Sequence, residues 1–284
     1  MKKLLMSFGI LLVLNVFSQD KPAYLLFHAD GSPATWAELT KKATSADVVF
    51  FGEMHNNPIC HWLQYELTSD LYGAAGQSLV LGAEMFETDN QLLLDEYVGG
   101  KIAMKNFEAE AKLWPNYQTD YKPLVDFARE KKLRFVGTNI PRRYAALVSK
   151  GGFEALSGLG REALGLMAPL PMPYDSTLPG YKAMMNMGGH SSANLPKAQA
   201  CKDATMAWFI VQNLTPGKVF LHFNGSYHSD NFEGIVWYLR HYRPGVKILT
   251  ISSIESDNPA QPGDEIKGKA DFILVVPSTM TKTH

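Results

Sequence analysis

The chain has 284 residues, 46% of them hydrophobic and 19% charged, with 27 basic and 28 acidic side chains. That is long enough to bury a full core, and a formal net charge of -1 leaves no electrostatic footprint for nucleic acid. The two cysteines, Cys60 and Cys201, are too few for a disulfide scaffold. Each lies in an apolar, helical-looking stretch, which favours two buried thiols over a single bridge.

Met1-Lys2-Lys3 is cationic, and Leu4 to Phe17 is apolar apart from Ser7, Gly9 and Asn15. Val16-Phe17-Ser18 then places a small residue before a cut. This three-part pattern predicts a secretory leader over residues 1–18, too short and wrongly flanked for a permanent span. The expected product is an exported chain beginning near Gln19, periplasmic or associated with the cell surface. No cysteine follows the apolar run, so a lipid anchor at a new N-terminal cysteine is not expected.

Residues 19–284 read as one domain. Tyr24 to Phe27, followed by the Asp30-Gly31 turn, is a short edge strand, and Thr35 begins a helix. Apolar runs at Val48–Phe51, Leu79–Leu81, Leu133–Val136, Val219–Phe223, Ile248–Ile251 and Phe272–Val276 read as further strands. Helical patterns separate them at Ile59–Tyr72, Tyr121–Lys131, Ala198–Leu214 and Phe232–Tyr242. Alternation of this kind predicts an α/β fold, a largely parallel central sheet with helices on both faces. The stretch around 166–195, rich in proline and methionine, breaks the pattern and reads as an inserted, mostly helical lobe across the top of the sheet.

Polar residues collect just after the strands. Gly52, Glu53, Met54 and His55 follow the first clear strand, with His61 and Gln64 on the next helix. Glu84 and Glu87 follow the second, Asn139, Pro141, Arg142 and Arg143 the third, and Asn224, Gly225 and His228 the fourth. Open α/β sheets bind ligands beyond the carboxyl ends of their strands, so four strands are expected to deliver these side chains to one rim. Gly52 and Gly225 each stand three residues before a histidine, where glycine is expected to permit a sharp backbone turn. His55 and His228 with Glu53 and Glu84 have the donor types for a divalent metal such as Mn, Co or Zn with an open position for water. They suit a hydrogen-bonded network equally, and the spacing leaves both open.

Gly52-Glu53-Met54-His55 with His61 and Gln64, then Glu84-Met85-Phe86, Asn139-Ile140-Pro141-Arg142, Asp203 to Trp208 and Asn224 to His228, resembles the ChaN-like family of haem-binding uptake proteins. The resemblance implies a Tiki/erythromycin-esterase-like fold and a bacterial role in haem or iron acquisition. It also implies an outer-membrane haem receptor as partner, and a homodimer in which two haems stack. It further implies haem iron held by a tyrosine with a histidine nearby. The matching candidates lie in the insert: Tyr181, the preferred ligand, with Tyr174 and His190, among Met184, Met185 and Met187. A phenolate suits ferric iron and flexible methionines suit a flat apolar ring, while Arg142 or Arg143 could fork onto a propionate. The competing reading is a divalent-metal-dependent hydrolase of the Tiki type, with Glu53, His55, Glu84 and His228 around the metal and a carboxylate as general base.

Overall fold

The computed structural model describes residues 21–185 and 193–284. The expected leader and His190 therefore lie outside the described residues, as does Met187. Among the described residues no helix is long and apolar enough to cross a membrane.

Eight strands form one sheet: β1 Leu25–His28, β2 Pro33–Ala34, β3 Val48–Glu53, β4 Leu79–Glu87, β5 Arg134–Asn139, β6 Val219–Gly225, β7 Ile248–Ser256 and β8 Phe272–Pro277. Their spatial order is β2-β1-β8-β7-β3-β6-β4-β5. The six strands from β3 to β8 pair in parallel, and the short β1–β2 hairpin closes one edge antiparallel to β8. This is the expected largely parallel α/β sheet.

The apolar runs are continuous because each strand is buried on both faces. Along β3, Val49 and Phe51 join one core and Val48 and Phe50 the other. On the first face pack α1 (Trp36–Ala43), α2 (Pro58–Ala75), α3 (Gln91–Val98), α4 (Met104–Glu110) and α5 (Lys122–Lys131), through Leu39, Leu63, Leu67, Leu94, Phe107 and Leu124. On the second pack α6 (Arg142–Gly151), the single turn α7 (Arg161–Leu164), α8 (Pro179–Met184), α9 (Leu195–Asn213) and α10 (Ile235–Tyr242). Local chemistry sets where helices start. Thr35 and Glu38 form a capping box before α1, and Asn57 accepts from the amides of Ile59 and Cys60 with Pro58 at the first helical position of α2.

The two cysteines are buried free thiols, Cys60 in the first core and Cys201 in the second, so the sheet stands between them. In the insert the described residues hold one short helix, α8, and otherwise irregular backbone. That backbone is fastened to the domain beneath it. Thr88 donates to Leu166 O at 2.7 Å, Tyr238 to Pro173 O at 2.6 Å, and Gly180 N to Glu233 at 2.7 Å.

Candidate functional site

The site is built where β3, β4, β5 and β6 end side by side. Parallel register places Glu53 of β3 opposite Gly225 of β6, and Glu87 of β4 opposite Asn139 of β5. The two glycine-x-x-histidine segments thus leave adjacent strands at the same level.

Glu53 is fully buried behind His55. Its Oε1 accepts the Tyr121 hydroxyl at 2.7 Å and lies 2.8 Å from His55 Nδ1, and its Oε2 accepts the Gln64 amide. The carbonyl of His55 accepts from Asn116 at 2.7 Å and from His61 Nε2 at 3.1 Å, so the backbone is clamped as well as the ring. Burial pushes the Glu53 carboxyl up, but His55, His61 and Gln64 outweigh it and hold the group below its ordinary value. Burial likewise opposes the His55 imidazolium, and Glu53 followed by Glu84 overcomes that and raises its pKa.

His228 sits between two carboxylates. Nδ1 lies 2.5 Å from Asp203 Oδ1 and Nε2 3.1 Å from Glu84 Oε1. Asp203 Oδ2 accepts the Tyr181 hydroxyl at 2.6 Å, and Glu84 Oε2 accepts the Gly225 amide at 2.9 Å. The Gln199 amide nitrogen is within 3.0 Å of both ring nitrogens. Burial disfavours a charged His228, yet Glu84 and Asp203 together push its pKa up to about 10. Burial alone would raise Glu84, and the facing imidazolium instead holds it well below the usual carboxylate range. Behind this pair, in β6, His222 is held neutral by complete burial, its pKa lowered to about 4, and bonds Thr138 at 2.8 Å and Asn224 at 3.0 Å.

Gly52 and Gly225 serve by leaving space. Neither has a positive φ, so the expected backbone turn is not their role. A Cβ on Gly225 would stand 2.7 Å from His55 Nε2, and one on Gly52 would stand 2.8 Å from Ile251 O and 2.9 Å from Ser226 Cα.

Above these groups opens a cleft in two adjoining parts that share Glu87, Trp114, Arg142 and Ala146. The inner part, about 540 Å³, is lined by His55, Glu84, Asn139 and His228, and by facing sides of α6 (Ala145, Ala146, Ser149) and α9 (Leu195, Ala198, Lys202). The outer part, about 910 Å³, runs along Lys112, Trp114 and Arg143. Both volumes fall in the range of roughly 300–1,000 Å³ usual for ligand clefts. Trp114 packs edge-on to His55 with ring centroids 4.9 Å apart. Arg143 and Lys112 are both tied to Asp89, at 2.5 and 2.7 Å.

His55, Glu84, Arg142 and His228 therefore meet in one cleft, with Glu53 directly behind His55. They meet as two acid–imidazole pairs. Among the described residues no group of three or more His, Cys, Asp or Glu is arranged to hold a metal ion. Both nitrogens of His228 and all four oxygens of Glu53 and Glu84 are engaged with protein groups. Tyr181 lies away from the cleft surface, 3% exposed, with its hydroxyl spent on Asp203. Tyr174 lies beside it with the rings tilted by 30° and 5.8 Å between centroids, and its hydroxyl has no bond among the described residues. Asp203, Gln199 and His222 carry much of the network and have no role in the sequence reading, in which Tyr121 stands at the start of a helical pattern. Asp203 was the readable one, an acid in a helix otherwise buried through Ala200, Cys201, Ala204 and Ala207.

An open, mainly parallel sheet with an acid–imidazole rim at its strand ends defines an α/β ligand-binding class. The chain belongs to the haem-binding uptake family of the Tiki superfamily, ChaN, whose model matches residues 39–239. Among solved structures it is similar to ChaN of Campylobacter jejuni, studied for cofacial haem binding, at 20% identity and TM-score 0.67 over 90% of this chain and 97% of that one. It is also similar to a Bacillus cereus protein (12% identity, TM-score 0.50, 84% and 90% covered) and a succinoglycan biosynthesis protein (10%, 0.51, 90% and 94%). At these identities the likeness is one of fold. No curated protein matches the sequence.

Proposed function

We propose that this chain binds haem and serves in haem or iron acquisition, as an exported protein that hands its cargo to or takes it from an outer-membrane receptor. Family membership across residues 39–239 is the observation that carries the reading. The site is compatible with it: a cleft of ligand size with a tryptophan wall and cationic rim, beside an insert bearing two tyrosines. The haem bound cofacially by the C. jejuni protein makes a dimer with stacked haems the arrangement to test here.

For the iron, an oxygen donor has to be available. Tyr174 offers a phenol that has no bond among the described residues, whereas Tyr181 must first give up Asp203. Burial, then the nearby Asp203 charge, pushes the Tyr181 phenol far up, while Tyr174 is raised by burial and by Asp175. Ferric iron, a strong Lewis acid, displaces the phenolic proton more readily where less protein stabilisation opposes it. Tyr174 is thus the first candidate and Tyr181 the second, and His190, outside the described residues, is the imidazole that the family resemblance implies.

The test is a haemin titration followed in the Soret region on the wild type, Tyr174→Phe, Tyr181→Phe and the double variant. Saturation at a fixed ratio, lost in Tyr174→Phe, is expected. A wild-type chain that gives no saturable response removes the haem reading. Mass spectrometry of exported material should find a terminus near Gln19; an intact Met1 on the folded exported protein counts against the leader.

A further inference from the structure

Resting on the haem reading, we infer that the inner cleft is a carboxylate clamp, in which Arg142 of α6 and Lys202 of α9, both on its lining, seat the two propionates of the ligand. Four lysine and arginine side chains stand around the two parts of the cleft, and they are not equivalent. Arg143 and Lys112 are neutralised by Asp89, and Lys112 also by Glu87 at 3.2 Å. Arg142 and Lys202 have no carboxylate within 4.0 Å and no hydrogen-bond acceptor among the described residues. Within a cleft whose other charges are paired, these two leave positive potential unspent.

The walls place them. Arg142, Ala145, Ala146 and Ser149 stand at helical spacing on one side of α6, and Leu195, Ala198 and Lys202 on the facing side of α9. Ala145 and Ala198 are buried in the core that α6 and α9 share, which holds the two helices together at the cleft, and Trp114 supplies an aromatic wall. The floor has a gap of its own: Asn139 Oδ1 is buried without a partner among the described residues, and a water carried in by a propionate supplies the missing donor. Arg142 forks onto one carboxylate with two parallel N–H donors, while Lys202 acts on the other as a point charge.

The probe pair is haemin and haemin dimethyl ester, presented in the same detergent micelles to the full exported chain and read by Soret titration. The wild type is expected to hold haemin at least about tenfold more tightly than the ester, as loss of a charge-assisted pair predicts. Arg142→Gln and Lys202→Met should each erase most of that preference by weakening haemin and leaving the ester unchanged, and Arg142→Lys should restore part of it. Equal binding of haemin and ester by the wild type overturns the clamp while leaving haem binding standing. So does an unaltered preference in the Arg142→Gln, Lys202→Met double variant. A wild type that answers neither probe overturns the haem reading, and the clamp with it.

Discussion

The hydroxyl of Tyr181 donates to Asp203 at 2.6 Å, and this bond joins the insert to the acid–imidazole pair beneath it. Asp203 holds His228 on its other oxygen, and His228 reaches Glu84 at the end of β4. Insert and rim therefore share one chain of buried polar bonds, and its links depend on one another.

Tyr181→Phe tests the first link. The ring stays packed, but Asp203 loses its donor while remaining charged and buried. A hydrogen bond to a charged group contributes about 1.5–3 kcal/mol, and a loss of that order in urea unfolding is expected. Because α8 is held partly by this bond, proteolysis within 166–185 should accelerate with it. A variant as stable and as resistant as the wild type would make the bond incidental.

His228 sets the alkaline behaviour. Its folded pKa of about 10 lies above the ordinary 6.5, so its stabilisation is fully present below about pH 6.5 and is lost as pH rises through about 10. Stability should fall across that window by the order of 1 kcal/mol per pH unit for the one proton involved. His228→Gln should flatten the alkaline slope and cost about 3–5 kcal/mol at neutral pH, because Glu84 and Asp203 are left facing without a cation. Urea unfolding from pH 6 to 10 measures both. A wild-type curve level through pH 9 would mean that His228 is neutral in the fold.

The acid side has a different origin. His222 is the reverse case, with a folded pKa of about 4 below its ordinary 6.5, so the folded state resists a proton that the unfolded chain accepts. Stability is expected to decline as pH drops below about 6.5, and Glu53 and Glu84, both lowered, add to the decline below about 4.5. His222→Gln keeps a donor and an acceptor for Thr138 and Asn224 and removes the titration. It should shift the onset of acid unfolding from about pH 6 towards pH 4.5. An onset unchanged by the substitution assigns the acid limb to the carboxylates alone.

The sheet was legible because its strands are buried on both faces. Val48 to Phe51 and Phe272 to Val276 need apolar residues at every position, and no helix surface does. Neighbourhood was not legible. Insertion of β6 between β3 and β4 brings His228 to Glu84, and nothing along the chain encodes that order. Helices α3, α4 and α6 are absent from the sequence reading for two reasons. α3 and α4 run only eight and seven residues, whereas α6 does carry an amphipathic stripe, Tyr144, Ala145 and Val148, behind a polar Arg142-Arg143 start that reads as part of the rim. The rim residues were found by position after strands, whereas Tyr121 and Asp203 reach the site from helical segments, where packing alone accounts for a buried side chain.

Gly225→Ala separates the two glycines by what stands in front of each. The added methyl would meet the Nε2 and Cε1 of His55 at 2.7 and 3.0 Å, and Glu84 Oε2 at 3.7 Å. His55 is the end of a partly exposed side chain, so the ring can swing toward the cleft and the fold survives at a cost of about 1 kcal/mol. The swing breaks its contact with Glu53, and the pKa of His55, raised chiefly by that carboxylate against the pull of burial, should fall back toward its ordinary value. Gly52→Ala has no such escape, since its methyl would meet the backbone of Ile251 and Ser226. A loss of about 3 kcal/mol or failure to fold is expected there. Titration of the His55 ring by proton NMR, with urea unfolding of both variants, reads the difference. If Gly225→Ala leaves the His55 titration unmoved, the glycine is not what gives the imidazole its place, and the clamp formed by Asn116 and His61 on the His55 carbonyl is the feature to vary next.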